Sequence, residues 1–265
     1  MFRFMNSKTI RFCVLCMFVS LALVSVTQKE EKKPKTKVIA HRGFWNRPGS
    51  AQNSIHSLQG AIEHGFYGSE LDVYITADGV LVVNHDPTFN GVNIELSNYS
   101  AIQDFRLQNG EPIPKLQEYI DVAKKQSQTK LILEIKSHST KLNEDRAVAA
   151  VVKMVNDNNV AHLVDYISFS QNICNELIKA NPQHRVAYLN GDLTPEQLKA
   201  AGYWGLDYHY NVLKNNTGWM EKARELGLTT NVWTVNSTSD MQYFIDREVD
   251  YITTDHPLEL KELLK

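Results

Sequence analysis

From residue 38 onward, short runs of apolar and β-branched residues alternate with stretches whose apolar positions recur every three to four residues. The short runs cover 38–41, 68–73, 131–135, 166–169, 185–189, 204–208, 230–235 and 250–254, and their continuous apolar character predicts strands buried on both faces. The periodic stretches predict helices near 52–64, 115–126, 143–159, 172–180, 195–201, 217–226, 238–246 and 257–264. Several of these helices are preceded by Ser, Thr or Asn, the residues whose side chains satisfy the first free backbone amides. Strand followed by helix, repeated eight times, predicts an α/β fold in which a closed parallel sheet is ringed by helices, a (β/α)8 TIM barrel.

One connection departs from the alternation. After the second strand a further β run, 80–83, follows Ala77-Asp78-Gly79, and Asp-Gly is a strong hairpin signal. A two-residue loop at Asp78-Gly79 sets Ala77 opposite Val80, and counting along both arms sets Asp72 opposite His85. The following segment, 87–112, has mixed polarity and little periodicity, so it is expected to be a small loop insertion over the barrel mouth.

Length and composition add bounds. A chain of 265 residues with 43% hydrophobic content builds one large core, of the size a single barrel needs. A net charge of -2 and a pI near 6.5 provide no basic field for a nucleic-acid backbone, so any phosphate recognition is expected to be local. Arg3, Lys8 and Arg11, the apolar run 12–26, and small residues Ser25 and Thr27 before a charged stretch form the layout of a signal peptide, read as residues 1–27. The run is shorter than the roughly 20 apolar residues of a spanning helix, and Cys16 follows Leu15, where a lipidation site needs a small residue. The expectation is therefore an exported protein, periplasmic or secreted, that meets a membrane only through an uncleaved or lipidated N-terminus. Residues 28–37, charged and containing Pro34, read as a flexible tether, leaving 38–265 as the folded domain. Cys174 is then the one remaining cysteine, which excludes an internal disulfide. No stable protein partner is indicated, and the oligomeric state carries no sequence signal.

The chemistry gathers at strand ends. Glu70 and Asp72 stand two apart on a strand and so share a face, to which the hairpin register adds His85. Glu134 and Lys136 share a face by the same spacing, and His41 closes the first strand. In a parallel barrel all of these point toward the carboxyl-end mouth, where barrel enzymes keep their active sites. Three carboxylates without cysteine suit a hard divalent cation such as Ca²⁺ or Mg²⁺, with Mn²⁺ also admitted. Two histidines remain for proton transfer.

His41-Arg42-Gly43, Glu70-Leu71-Asp72, Asp78-Gly79, Asn84-His85-Asp86-Pro87, Glu111-Pro112-Ile113-Pro114, Leu133-Glu134-Ile135-Lys136, Trp233-Thr234-Val235-Asn236 and Thr253-Thr254-Asp255-His256-Pro257 together resemble, in order and spacing, the motifs of the glycerophosphodiester phosphodiesterase family. The resemblance spans roughly residues 38–260 and implies metal-dependent hydrolysis of glycerophosphodiesters to sn-glycerol 3-phosphate and an alcohol. It implies that Glu70, Asp72 and Glu134 bind the metal, that His41 and His85 act as general acid and base, and that Arg42 and Lys136 contact the phosphoryl oxygens. Trp233 either stacks on the substrate's alcohol moiety or fills the barrel top, and His209 and Tyr210 have the same two readings. One motif departs from the family: Ala51-Gln52-Asn53-Ser54 stands where Pro-Glu-Asn-Thr is usual, so an amide replaces a carboxylate. Two rival readings follow from the residues, a phospholipase D or sphingomyelinase D-like barrel, and a barrel retained for ligand binding without turnover. Those toxins usually carry disulfides, which this chain cannot form, and the intact histidines and carboxylates oppose the second rival. The headgroup released and the metal bound are left open.

Overall fold

The computed structural model describes residues 36–265; the proposed signal peptide and residues 28–35 of the tether lie outside the described residues. The strands, in chain order, are β1 (Lys37–Ala40), β2 (Gly68–Ile75), β3 (Leu81–Val83), β4 (Thr88–Phe89), β5 (Val92–Asn93), β6 (Lys130–Ile135), β7 (Val164–Ser168), β8 (Val186–Tyr188), β9 (Gly205–His209), β10 (Thr229–Trp233) and β11 (Tyr251–Thr254). The helices are α1 (Ile55–Glu63), α2 (Leu116–Ala123), α3 (Lys141–Asp157), α4 (Gln171–Ala180), α5 (Pro195–Ala200), α6 (Tyr210–Asn215), α7 (Trp219–Glu225), α8 (Thr238–Ile245) and α9 (Pro257–Leu263).

β1, β2, β6, β7, β8, β9, β10 and β11 pair in parallel in that order. β1 also pairs with β11, Ile39 opposite Thr253, which closes the ring. The expected barrel is therefore present.

Alternation along the strands divides the interior into two apolar regions. Ile39, Ile132, Ile167, Ala187 and Leu189 point inward and pack on one another inside the barrel. Leu71, Val73, Leu131, Leu133 and Ile135 point outward and pack with helix residues such as Leu58, Val151 and Leu177 in the main core. Cys174 on α4 is buried in that same layer, where burial pushes its thiol up to about 12, so it acts as a packing residue. At the amino-terminal end of the barrel, Lys130 Nζ lies 2.8 Å from Asp165 Oδ1, and Tyr67 donates to Asp165 Oδ2 at 2.9 Å. Placed away from the mouth, this buried pair reads as structural.

The structure corrects one expectation and adds two features that the sequence reading did not describe. First, Ala77, Asp78 and Gly79 all lie in the hairpin loop, because Thr76 N donates to Val80 O at 2.9 Å and Val73 stands opposite Val83. The Thr76 hydroxyl donates to Asp78 Oδ1 at 2.6 Å, and Gly79 adopts φ +86°, which widens the loop by one residue. Asn84 N consequently bonds Asp72 O at 2.9 Å, so Asn84, not His85, lies opposite Asp72. Second, the insertion is ordered around a core of its own: Tyr74, Val82, Ile94, Ile102 and Ile113 are buried together. Glu111 fastens it to α1, its Oε2 accepting from Ile55 N at 2.9 Å at the helix start, where a carboxylate complements the free amides. Glu95 Oε2 likewise accepts from Ser139 N at 3.0 Å. Third, α6 follows β9 directly with no counterpart in the sequence reading. Its six residues are too few for a period to show, and His209 supplies an unusual cap, its Nδ1 accepting from Asn211 N at 3.2 Å.

Candidate active site

At the carboxyl-end mouth, His41, Arg42, Glu70, Asp72, His85, Glu134, Lys136 and Trp233 line one cavity of about 120 Å³. Those are all the site residues expected from the sequence. His85 arrives by a different route from the one expected. It lies one residue beyond the last β2–β3 pairing, and the bend after Asn84 turns it into the pocket that strand alternation was expected to give it.

The His41-Arg42-Gly43 turn shows why its residue types are needed. Arg42 holds a left-handed backbone, φ 53°, which lets its amide donate to Glu70 Oε2 at 2.7 Å. Gly43 has φ +76°, and a Cβ there would lie 2.8 Å from the backbone carbon of Ser57, closer than packed atoms come. The turn thus brings the start of α1 against the strand ends. Asn53, buried and also at positive φ (56°), donates to Asp72 Oδ2 at 2.8 Å.

Glu70, Asp72 and Glu134 each offer an oxygen, and these oxygens lie within 4.8 Å of one another. All three residues are buried. Lys136 Nζ sits 2.8 Å from Glu134 Oε1 and 3.2 Å from Asp72 Oδ1, while Arg42 Nε is 3.7 Å from Asp72 Oδ2. For Asp72, burial opposes the charge, but Lys136, His85, Asn53 and Arg42 outweigh it and lower its pKa. Burial and the repulsion of Asp72 push Glu134 up to about 8. Burial, together with Asp72 and Glu134, raises Glu70 well above the carboxylate range. Three buried carboxylates face two side-chain cations here, so mutual repulsion adds to burial in raising Glu70 and Glu134. A divalent cation among them would remove that repulsion, and an oxygen-only donor set fits a hard ion. The residues present therefore fit the implied metal.

Each histidine has an aspartate on Nδ1. His41 Nδ1 lies 2.8 Å from Asp255 Oδ1, and His85 Nδ1 lies 2.8 Å from Asp86 Oδ1. With a carboxylate on one ring nitrogen, the proton belongs there and Nε2 is the nitrogen left for substrate. Burial lowers the His85 pKa, helped by Lys136 and Arg42 and resisted by Asp72 and Asp86, so its neutral form prevails at neutral pH. Trp45 Nε1 and Asn236 Nδ2 also donate to Asp255, at 3.0 and 2.7 Å. Against the cost of burial, these partners hold the Asp255 carboxyl at about 2.

Gln52 lies in the loop before α1, where its Oε1 accepts from Arg42 Nη1 at 2.7 Å. The amide therefore retains the acceptor that a glutamate would present. Trp233 donates its indole N–H to Asp207 O at 2.8 Å and meets Phe169 edge-on at 5.5 Å, so an aromatic wall faces the cavity. His209 lies on the other side of that wall, edge-on to Trp233 at 5.2 Å, with Tyr210 beside it at 4.3 Å; neither lines the cavity.

Asp207 was missed by sequence reasoning. It lines the cavity, it is 2% exposed with Oδ1 lacking a hydrogen bond among the described residues, and burial raises its carboxyl to about 7. A carboxylate at the middle of an apolar strand, Gly205-Leu206-Asp207-Tyr208, was the available signal. Asp255 stood inside a quoted motif but received no role, since its contact with His41 joins opposite ends of the chain.

The glycerophosphoryl diester phosphodiesterase family profile matches residues 41–259. A crystal structure of a glycerophosphodiester phosphodiesterase from Parabacteroides distasonis is 48% identical, with a TM-score of 0.87 over 88% of this chain and 98% of its own. A glycerophosphodiester phosphodiesterase of Caldanaerobacter subterraneus subsp. tengcongensis is 27% identical over 250 residues, covering 87% of this chain and 98% of the relative. A phosphodiesterase of Oleispira antarctica, solved with the product sn-glycerol-3-phosphate, shares the fold at a TM-score of 0.73 and 22% identity, over 85% of this chain and 95% of its own. With a match that runs from the histidine just after the first strand into the last helix, the chain belongs to the glycerophosphoryl diester phosphodiesterase family and is a phosphodiester-hydrolysing enzyme.

Proposed function

We propose that the enzyme hydrolyses glycerophosphodiesters to sn-glycerol 3-phosphate and an alcohol, using a divalent cation and two histidines. The observation that carries this reading is the convergence, around one cavity, of three buried carboxylates, two imidazoles each held by an aspartate, and two side-chain cations. Glu70, Asp72 and Glu134 would hold the cation, which when bound supplies Lewis-acid stabilisation of phosphoryl charge. Arg42 and Lys136 offset the remaining negative charge on the equatorial oxygens, from positions already fixed by their contacts with Asp72 and Glu134. One histidine takes the proton of the substrate's neighbouring glycerol hydroxyl through Nε2 as that oxygen attacks phosphorus, the other gives a proton to the departing alkoxide, and water then opens the cyclic phosphate to sn-glycerol 3-phosphate. Asp255 and Asp86 keep each ring in the orientation this requires. Trp233 and Phe169 line the apolar side of the cavity and exclude water from it.

The test is release of sn-glycerol 3-phosphate from a panel of glycerophosphodiesters, with and without EDTA, by wild type and by His41→Ala and His85→Ala. Metal-dependent release that falls at least about a hundredfold in each variant is the expected outcome. Turnover insensitive to EDTA, or retained in both variants, would remove the proposed chemistry while leaving the family assignment in place.

A further inference from the structure

Beside the catalytic cavity runs a second, larger one of about 410 Å³. Arg42 and His85 line both, so the two spaces meet at the residues assigned to the phosphoryl group and to proton transfer. A phosphodiester carries two alcohol arms that leave the phosphorus in different directions. The inner cavity, already shared with the three carboxylates and closed by the aromatic wall, has room for a three-carbon arm. An arm the size of an inositol ring does not fit there as well, and the larger space beyond His85 is where it can lie.

The chemistry of that larger space is specific. Gln52, Asn84, Asn90, Arg106 and Gln108 line it beside Arg42, giving a surface of amides and two guanidinium groups. Arg106 is anchored through Nη1, which donates to Gln103 O and Phe105 O at 3.2 and 3.1 Å. Among the described residues Arg106 forms no ion pair, and the side chains of Asn90 and Gln108 make no hydrogen bond. The one carboxylate on this surface, Asp86, is engaged by His85. The two aromatic residues there do not pair with each other among the described residues: Phe89 packs edge-on to Phe105 at 6.0 Å within the insertion core, while Trp45 is turned to Asp255 by its indole N–H, so no aromatic cage forms. A quaternary ammonium needs an aromatic cage or an uncommitted carboxylate, and it would meet the charge of Arg106. A polyol needs convergent donors and acceptors, which amides and guanidinium groups supply together.

Resting on the reading above, we propose that this groove is the subsite for the departing alcohol, and that it takes an uncharged polyol headgroup, glycerol or inositol, in preference to a cationic amine. Arg106 and Gln108 are its specificity determinants. Neither belongs to the catalytic set.

The experiment compares kcat/KM for glycerophosphoglycerol, glycerophosphoinositol, glycerophosphoethanolamine and glycerophosphocholine, at saturating divalent cation, in wild type, Arg106→Ala, Gln108→Ala and Arg106→Glu. Wild type is expected to favour the polyol esters at least about tenfold over the choline ester. Arg106→Ala and Gln108→Ala should each reduce polyol kcat/KM by about fivefold to tenfold, corresponding to one hydrogen bond, with the choline ester within about twofold. Arg106→Glu should shift the choline-to-polyol ratio at least about tenfold toward choline. Equal or better turnover of the choline ester by wild type, or variants that change all four substrates alike, would overturn the subsite assignment with the hydrolase reading intact. No turnover of any diester by wild type would instead overturn the hydrolase reading, and the subsite with it.

Discussion

Asp255→Asn tests how strands from opposite ends of the chain share one histidine. In the folded protein the Asp255 carboxylate accepts from His41, Trp45 and Asn236 and is held at about 2, against an unperturbed 3.8. At about 1.36 kcal/mol per pKa unit, that lowering is equivalent to about 2 kcal/mol of stability carried by the ionised form. Because the folded value lies below the unfolded one, the contribution is complete above 3.8 and is lost as pH falls through 2. Asn keeps the shape and removes the charge. The variant should therefore be about 2 kcal/mol less stable at pH 7, and the deficit should shrink to about half by pH 3. Urea unfolding at both pH values measures this directly. The same substitution should lower kcat at least about tenfold with little change in KM, since the ring of His41 loses its orienting charge while the substrate contacts persist. An unchanged unfolding midpoint at pH 7, a deficit as large at pH 3 as at pH 7, or an unchanged kcat would each refute this account.

Four further outcomes are expected. In EDTA, Glu134, pushed up to about 8, contributes stability that is present below its unfolded value and lost as pH rises through 8. Metal-free Glu134→Gln should accordingly unfold at a higher temperature than metal-free wild type at pH 8, yet lose the rise in Tm that Ca²⁺, Mg²⁺ or Mn²⁺ gives wild type. Asp207 follows the same sign, its carboxyl raised from 3.8 to about 7. Asp207→Asn should flatten stability between pH 4 and 7 and gain up to about 4 kcal/mol at pH 8 in chemical unfolding. Gly43→Ala forces a Cβ against the Ser57 backbone at φ +76° and should cost at least about 2 kcal/mol of stability and most activity, measured by unfolding and by turnover of the soluble fraction. Gln52→Glu should leave kcat/KM within about threefold, because the Arg42 contact already exists.

The barrel was legible because its signal is local: eight apolar runs alternating with helical periods, several of them capped, need no knowledge of what they touch. The carboxylates of Glu70, Asp72 and Glu134 were legible for the same reason, since spacing by two on a strand fixes a common face. The hairpin register was not, because it turned on whether Thr76 and Asp78 side chains would hold the loop one residue wider. Both readings brought His85 to the same pocket, one by alternation and the other by a bend. The insertion was opaque because its core draws on Tyr74 and Val82 from the hairpin as well as on Ile94, Ile102 and Ile113, so no single window shows a period. Glu111 could be quoted within a motif but not interpreted, since the helix start it caps lies 56 residues earlier. Asp207 and Asp255 escaped because their significance depends on neighbours that only barrel closure provides.

The contact between His41 and Asp255 joins residues 214 apart, one just after the first strand of the ring and the other just after the last. A ribosome that has released the first seven strands of the ring has made nearly the whole wall of the catalytic cavity, and still has not oriented His41. Such long-range pairing is also the slow part of folding, because a long loop must close before any contact rewards it. Turnover is thus a reporter of the final step of folding: during refolding from urea, activity should return with the last kinetic phase and lag behind the helical signal.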